Sequence, residues 1–326
     1  MRIAIAGTGS IGRRHVEQLM LLIPDISWVF VRDCVRNDVF AESLKAELVP
    51  NLQAALDIPL DALIIANPSS LHAEFVLSAL QFGLPMYIEK PVAISLLQIE
   101  SLQQCLSAAS KVPVTQVGCN LRFLPSLQRL KQLICAGVIG RVVRASFDAG
   151  QWLPDWRPQQ DHRESYSADP ARGGGVLFDL IHEIDAAYWI LGELTPLACA
   201  VENVPRLEIK SESVATALLR AHSGALVQIG LDYVSRSPLR RYQFVGETGT
   251  LVWDLSAKVL SLHTADRSQI LDSGDSGFDV SSTYYSAMKA FVESLLTQQQ
   301  QVHPLSEGLA VSAITVGLKR MALVQC

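Results

Sequence analysis

Four titratable side chains, Asp179, His182, Glu183 and Asp185, sit inside the otherwise apolar stretch VLFDLIHEIDAAYW (176–189), which follows three consecutive glycines at 173–175. A segment fit for burial carries such groups either because they form a solvated face or because some of them move protons in a cleft. A histidine, with an ordinary pKa of about 6.5, suits an acid or base at neutral pH.

Two other stretches carry chemistry. GTGSIG (7–12) has glycines at 7, 9 and 12, with Ser10 and Ile11 between the last two, directly after a strand pattern and at the start of a helix pattern. Glycines so spaced permit a tight turn and close backbone approach, so a pyrophosphate can sit on the helix N-terminus. An acidic residue, Asp33, closes the next strand pattern about 20 residues on, where it would accept from the ribose hydroxyls of a dinucleotide. That carboxylate favours NAD, although Arg32 and Arg36 beside it leave NADP open. Glu89-Lys90-Pro91 ends a later strand, and strand C-termini of an open parallel sheet face the ligand crevice, so Lys90 is aimed at the nicotinamide end. Pro91 restrains the backbone there, and Lys90–Pro91 is a candidate cis bond.

These residues need a frame. RIAIAG (2–7), WVFVRD (28–33), ALIIANP (62–68), PMYIEKP (85–91) and PVTQVGC (113–119) read as buried strands, with helices from about Ile11 to Leu22 and over 72–83. Strands alternating with helices imply a parallel, doubly wound sheet. A helix is predicted around 125–137, then a strand within 140–152. From 195 to 263 short β runs follow with SG and TG turns and no long helix between them, which is antiparallel behaviour. Helices return near 283–297 and 305–323. The fold class is therefore α/β, a Rossmann-like domain over 1–119 and a second α/β domain with an open, largely antiparallel sheet over 120–326.

Bulk composition agrees. With 326 residues, 49% of them apolar and 18% charged, the chain suits two globular domains. A net charge of −5 without basic runs speaks against nucleic acid and membrane surfaces. The first strand starts at Arg2, which leaves no room for a signal peptide, and GLAVSAITVGL (308–318) is too short to span a bilayer. Six cysteines (34, 105, 119, 135, 199, 326) lack metal-ligand spacing and read as reduced, mostly buried thiols. A cytoplasmic protein without a metal is expected.

Taken together, GTGSIG, NPSSLH (67–72), EKP and VGETGTL (245–251) resemble the Gfo/Idh/MocA family of sugar-type oxidoreductases, along nearly the whole chain. The resemblance implies that Lys90 lies beside the nicotinamide and the substrate hydroxyl, and that His182 with Asp179 is the acid/base pair. Asn67, Pro68 and His72 would line the nicotinamide ribose, and Glu89 would join the cofactor site. The spacing departs from the commoner family pattern: Asp179 precedes His182 by three, with Leu180 and Ile181 between. Residues three apart can still share one helix face, and Glu183 or Asp185 could substitute. Glu183 is otherwise expected to face solvent or a neighbouring subunit, and Asp185 to serve packing.

On the substrate side, Asn120 and Arg122 are implied to lie in the cleft between domains. The irregular segment 151–172 holds Trp152, Arg163 and Tyr166, the first choices for substrate contact, since aromatics stack on sugar faces and arginines grip anions. The expected activity is hydride transfer between NAD(P) and a hydroxyl or keto carbon of a sugar or sugar derivative, nucleotide-linked or acidic forms included. The alternatives are an NAD-dependent glycoside hydrolase that oxidises its substrate transiently, and a non-catalytic NAD sensor. A homodimer or homotetramer is expected through the second sheet, with Val227, Ile229 and Leu231 against the partner.

Overall fold

A computed structural model describes residues 1–32, 39–300 and 302–324. The chain divides into two compact units. The first comprises Met1–Cys119 together with Tyr284–Ser312, the second Asn120–Thr283 together with Ala313–Cys326.

The first unit is built on β1 (Arg2–Ala6), β2 (Ser27–Val31), β3 (Glu47–Val49), β4 (Ala62–Ile65), β5 (Met86–Ile88) and β6 (Thr115–Val117). They form one sheet in the order β3-β2-β1-β4-β5-β6, parallel at every pairing. Its helices are α1 (Ser10–Leu22), α2 (Val39–Ser43), α3 (Leu52–Leu56), α4 (His72–Gln81) and α5 (Leu96–Ala108). The order reverses beside β1 and β4, where the chain leaves β1 one way and β4 the other, and a doubly wound sheet opens its ligand crevice at that point. GTGSIG follows β1 and NPSSLH follows β4, so both meet at the switch.

The inner strands β1, β2, β4 and β5 are largely apolar runs because both faces are covered. One cover comes from far along the chain. In α10 (Val280–Thr297) the residues Met288, Phe291, Val292 and Leu295 recur at helical spacing and enter the same core as Ile3, Ile5, Phe30, Ile64 and Tyr87. Each such side chain contributes about 1.5–3 kcal/mol when fully buried. That is why Tyr284–Ser312 packs with the first unit, although the sequence runs on from the second.

In the second unit the strands are β7 (Val142–Gly150), β8 (Leu194–Glu202), β9 (Val214–Ala221), β10 (Leu226–Asp232), β11 (Leu239–Gly246), β12 (Thr250–Asp254), β13 (Val259–His263) and β14 (Ser268–Ser273). They form a sheet in the order β14-β13-β12-β11-β7-β10-β9-β8. It is antiparallel apart from the parallel pair β7–β10. The unit's helices are α6 (Pro125–Cys135), α7 (Val176–Asp179), α8 (Ile181–Leu191) and α9 (Asp275–Phe278), while α11 (Leu305–Val324) begins in the segment of the first unit and ends in that of the second. α8 lies against β7, β8 and β10.

Two expectations are corrected here. Val227, Ile229 and Leu231 do not await a partner: they are at most 2% exposed and point inward, alongside Ala217, Leu219, Phe147 and Tyr242. Side chains alternate along a strand, so the outward set is the other one, with Leu218 and Leu226 about 40% exposed. The segment 176–189 is not one helix either. Leu180, at φ −98° and ψ 33°, interrupts it and separates α7 from α8.

Candidate active site

In the first unit the glycine loop is shaped by collisions that any side chain would cause. Gly7 has φ +94°, and a Cβ there would lie 2.4 Å from the Ala66 oxygen; one on Gly12 would lie 2.0 Å from the Gly7 oxygen. Gly9, in contrast, faces open space. No side chain caps the N-terminus of α1 and its first turn holds no acid, while the Arg13 Nε donates to the Thr8 carbonyl. Thirteen residues of aligned helix dipole thus end in backbone N–H groups beside an open glycine. A pyrophosphate fits that cradle. Nearby, both side-chain amide atoms of Asn67 are buried without a partner, a donor and an acceptor left for a ligand's polar atoms. Pro68, next in the chain, is exposed. Asp33 lies outside the described residues.

His72 is buried and does not present its ring outward. Nδ1 lies 2.7 Å from the Pro91 oxygen and Nε2 2.9 Å from the Asn67 oxygen. Burial pulls its pKa below the ordinary value, against the opposing pull of the two carbonyls and Glu89. The ring thus stands between the strand end of β4 and the EKP segment and, when neutral, donates its one N–H to one of these two backbone oxygens. Glu89 is likewise buried, its Oε1 2.6 Å from Nε2 of the fully buried His15. Lys90 is half-buried, and the Lys90–Pro91 bond is cis.

In the second unit the three glycines are needed for close backbone packing. A Cβ on Gly174 would lie 2.2 Å from the Tyr166 oxygen, and Gly175, at φ +116°, brings its α-carbon against the Glu212 carboxylate. The glycines deliver the chain to α7, whose last residue is Asp179. Three of the four titratable groups that follow are buried, each with its own partner. Asp179 Oδ2 accepts a 2.6 Å hydrogen bond from Tyr233 Oη, and Tyr166 also bonds to Asp179. Burial first, and then the Asp179 charge, raise both phenols well above the ordinary tyrosine value, so both keep their protons and donate. Asp185 receives both Arg122 Nε at 2.9 Å and Arg122 Nη2 at 2.6 Å. Glu183, 0% exposed, pairs with Arg240 at 2.7 Å and accepts from Tyr242 Oη at 3.1 Å. The expectation that Glu183 faces solvent or another subunit is therefore wrong: it sits on the buried side of α8. His182, in the first turn of α8, is the half-exposed member of the four.

The models of one family cover both units. Residues 1–118 match the model described as oxidoreductase family, NAD-binding Rossmann fold, and residues 127–252 match the GFO/IDH/MocA C-terminal domain. The chain belongs to the GFO/IDH/MocA oxidoreductase family. Among GFO/IDH/MocA relatives, scyllo-inositol 2-dehydrogenase (NAD(+)) of Bacillus subtilis (strain 168) is 29% identical over 211 residues, 61% of this chain and 56% of its own. Inositol 2-dehydrogenase/D-chiro-inositol 3-dehydrogenase of Lacticaseibacillus casei is 27% identical over 265 residues, 77% of this chain and 71% of its own. The chain thus spans between about half and seven-tenths of the length of these curated relatives. The solved structure of levoglucosan dehydrogenase with NADH and levoglucosan has the same fold, with a TM-score of 0.85 at 17% identity over 100% of this chain and 98% of that one.

Within this GFO/IDH/MocA chain the residues expected at the substrate divide into two groups. Tyr166 joins Asp179, and Trp156, from the same loop, packs edge-on against Tyr233 with ring centroids 5.4 Å apart. Trp152 is half-buried under the Arg236 guanidinium, 3.6 Å from the ring centroid. The others are held elsewhere. Arg163 is exposed and bonds to Asp161 and Glu208, and its bond drags the Asp161 pKa down to about 2. Asn120 donates to Thr283 Oγ1 at 2.7 Å, and the Arg122 guanidinium is committed to Asp185. Tyr233 is the residue that sequence reasoning missed. It directly follows β10 in LVQIGLDY with the spacing of an inward core position, and nothing in that pattern marks its hydroxyl as the partner of a carboxylate 54 residues earlier.

Proposed function

We propose that the protein is an NAD-dependent dehydrogenase that oxidises a secondary hydroxyl of a cyclic polyol or sugar, or reduces the corresponding ketone. The observation that carries this reading is the buried Asp179 carboxylate, held by Tyr233 and Tyr166, two residues before the helix turn that bears half-exposed His182. The names of the inositol dehydrogenase relatives support the substrate class.

Bound NAD would supply the hydride acceptor, the nicotinamide C4. The GTGSIG turn and the first turn of α1 would hold the pyrophosphate, and Asn67 and Pro68 would line the ribose. Oxidation removes an electron pair with the C–H hydrogen, so the hydroxyl proton must leave as well. His182 takes it as the base and returns it in the reverse direction. Lys90 places its ammonium against the oxygen as negative charge develops there. Asp179, held by its two tyrosine donors, would orient or electrostatically support the histidine. Trp152, Tyr166 and Trp156 offer apolar ring faces for the substrate. Asn120, Arg122 and Arg163 act on the frame around it.

The protein is read as working in the cytoplasm, where the free thiols of Cys105, Cys119, Cys135 and Cys199 remain reduced. No helix among the described residues is long and apolar enough to cross a membrane. It is further read as a homodimer or homotetramer through the outward face of the second sheet, which carries Leu218, Leu226 and Leu239.

The test is absorbance at 340 nm with purified protein, NAD⁺ and a panel of inositols, sugars, sugar acids and nucleotide sugars. Growth with one compound, abolished in His182→Ala while NADH still binds, is the expected result. Tight NADH binding with no signal across the panel would overturn the dehydrogenase reading in favour of a hydrolase or a sensor.

A further inference from the structure

We propose that His15, acting through Glu89, is a positioning residue for Lys90, a role that rests on the dehydrogenase reading. His15 lies on the inner face of α1 with Gly12, Val16 and Leu19 and is 0% exposed. A polar ring in such a place needs a partner. Its partner is 74 residues away: Nε2 lies 2.6 Å from Oε1 of Glu89, the residue that follows β5 and precedes Lys90.

Several features of the first unit are built around an ionised carboxylate at this point. Burial alone would raise the Glu89 pKa, but the His15 bond and the charges of His15, Lys90 and His72 together hold it below the ordinary value. An ionised carboxylate only accepts, so His15 Nε2 carries the proton of the shared bond. The adjacent strand leaves room for the carboxylate: a Cβ on Gly118 would lie 2.7 Å from Oε1. The Tyr87 ring meets the His15 ring edge-on at 4.9 Å and restricts its rotation.

His15 is fully buried and Glu89 is only 8% exposed, so His15 can act on the reaction only through the residues it touches, and Glu89 leads directly to Lys90. Lys90 stands between two anchored residues. On one side Glu89 is held by His15, and its N–H donates to the Ile65 oxygen. On the other, the Pro91 oxygen meets His72 Nδ1 at 2.7 Å. A side chain used for catalysis has to start from a backbone that does not wander, because a misplacement of about 1 Å can cost about a hundredfold in rate. The same helix that receives the pyrophosphate at its N-terminus thereby also secures the strand end that carries the lysine.

Three substitutions separate this role from plain core packing. Glu89→Gln keeps the shape and one acceptor but removes the charge, His15→Leu removes the donor, and His15→Gln restores an amide donor. Kinetics with NAD⁺ and the polyol oxidised by the wild type would be combined with NADH fluorescence titration and thermal unfolding. In Glu89→Gln and His15→Leu, kcat is expected to fall between about tenfold and a hundredfold, while KM and NADH affinity stay within about threefold. His15→Gln should recover most of the loss. Wild-type kcat in Glu89→Gln, or a kcat loss matched by an equal loss of NADH affinity, would overturn the proposal. A second readout needs no turnover: the rate of acetylation of Lys90 in the apo-protein, measured by mass spectrometry against the exposed Lys111. The ratio should change by about threefold or more in His15→Leu and less in His15→Gln. If the wild type oxidises no polyol, the dehydrogenase reading fails by itself and this ratio still decides: an unchanged ratio overturns the positioning role. If His15→Leu does not fold, the comparison of Glu89→Gln with wild type settles it in the same way.

Discussion

Tyr233 Oη donates a 2.6 Å hydrogen bond to Oδ2 of Asp179, and both residues are buried. The sequence offered the carboxylate as a candidate partner for His182; the phenol that holds it was not legible there. Tyr233→Phe removes one donor from a buried charge and keeps the ring that packs on Trp156. Hydrogen bonds to charged groups contribute about 1.5–3 kcal/mol, so the unfolding free energy should drop by about that amount in a urea titration. Tyr166 remains as a second donor, so the variant should fold. If Asp179 serves His182 as proposed, kcat should fall by about tenfold or more while NADH affinity is unchanged, because the carboxylate is no longer fully held in place.

The glycine loop makes a paired prediction. Gly12→Ala would force a Cβ to 2.0 Å from a backbone oxygen, whereas Gly9→Ala meets nothing within 4 Å. Gly12→Ala should therefore lower the melting temperature and abolish NADH binding together. Gly9→Ala should melt like the wild type yet bind NADH at least about tenfold more weakly, since the added methyl occupies the space a pyrophosphate needs. Calorimetry and fluorescence titration on the same two preparations would check both, and wild-type affinity in Gly9→Ala would place the cofactor elsewhere.

Arg122 and Asp185 form a two-point pair, each about 3% exposed or less. Breaking a buried pair by removing one member costs about 3–5 kcal/mol because the other charge is left alone. Asp185→Asn should lose about that much stability. The folded fraction should keep its KM, since the guanidinium serves the interior of the second unit. A KM increase without a stability loss would instead return Arg122 to the substrate.

Acid should destabilise the protein in two stages. The folded-state pKa of His72 lies below its ordinary 6.5. As pH falls through that value the unfolded chain takes the proton first, and stability declines until the folded-state value is reached. The folded-state pKa of Glu89 lies below its ordinary 4.5. Its contribution is fully present above that value and is lost as pH falls through the depressed one. Urea midpoints measured in half-unit steps from about pH 8 to about pH 2.5 should be level at first, decline from about pH 6.5, and decline again below about pH 4.5. His72→Gln should flatten the upper stage and leave the lower one.

Much of the site was legible because it is local. A glycine turn between a strand and a helix, a lysine at a strand end, and a histidine after a glycine run are patterns within a dozen residues, and each maps to one backbone geometry. The sequence also implied which strands are buried on both faces and which alternate. Its errors were of two kinds. A helical pattern carried no sign of the single residue, Leu180, that leaves helical geometry between Asp179 and His182. An alternating strand showed that it has an apolar face but not what covers it, so Val227, Ile229 and Leu231 were assigned to a partner subunit rather than to this chain's own interior.

By itself the sequence determined the family, the parallel sheet with its phosphate turn, the antiparallel second sheet, and the residues able to do acid–base chemistry. The tertiary structure decided whom each charged group meets: Asp179 with Tyr233, Glu183 with Arg240 and Tyr242, Asp185 with Arg122, and Glu89 with His15. It also decided that α10 returns its apolar stripe to the first unit's core. Periodicity fixes the face on which a side chain stands because backbone geometry repeats every few residues. The partner across that face comes from elements 54 to 74 residues away in the chain, and their meeting depends on how whole strands and helices pack, which no local pattern encodes.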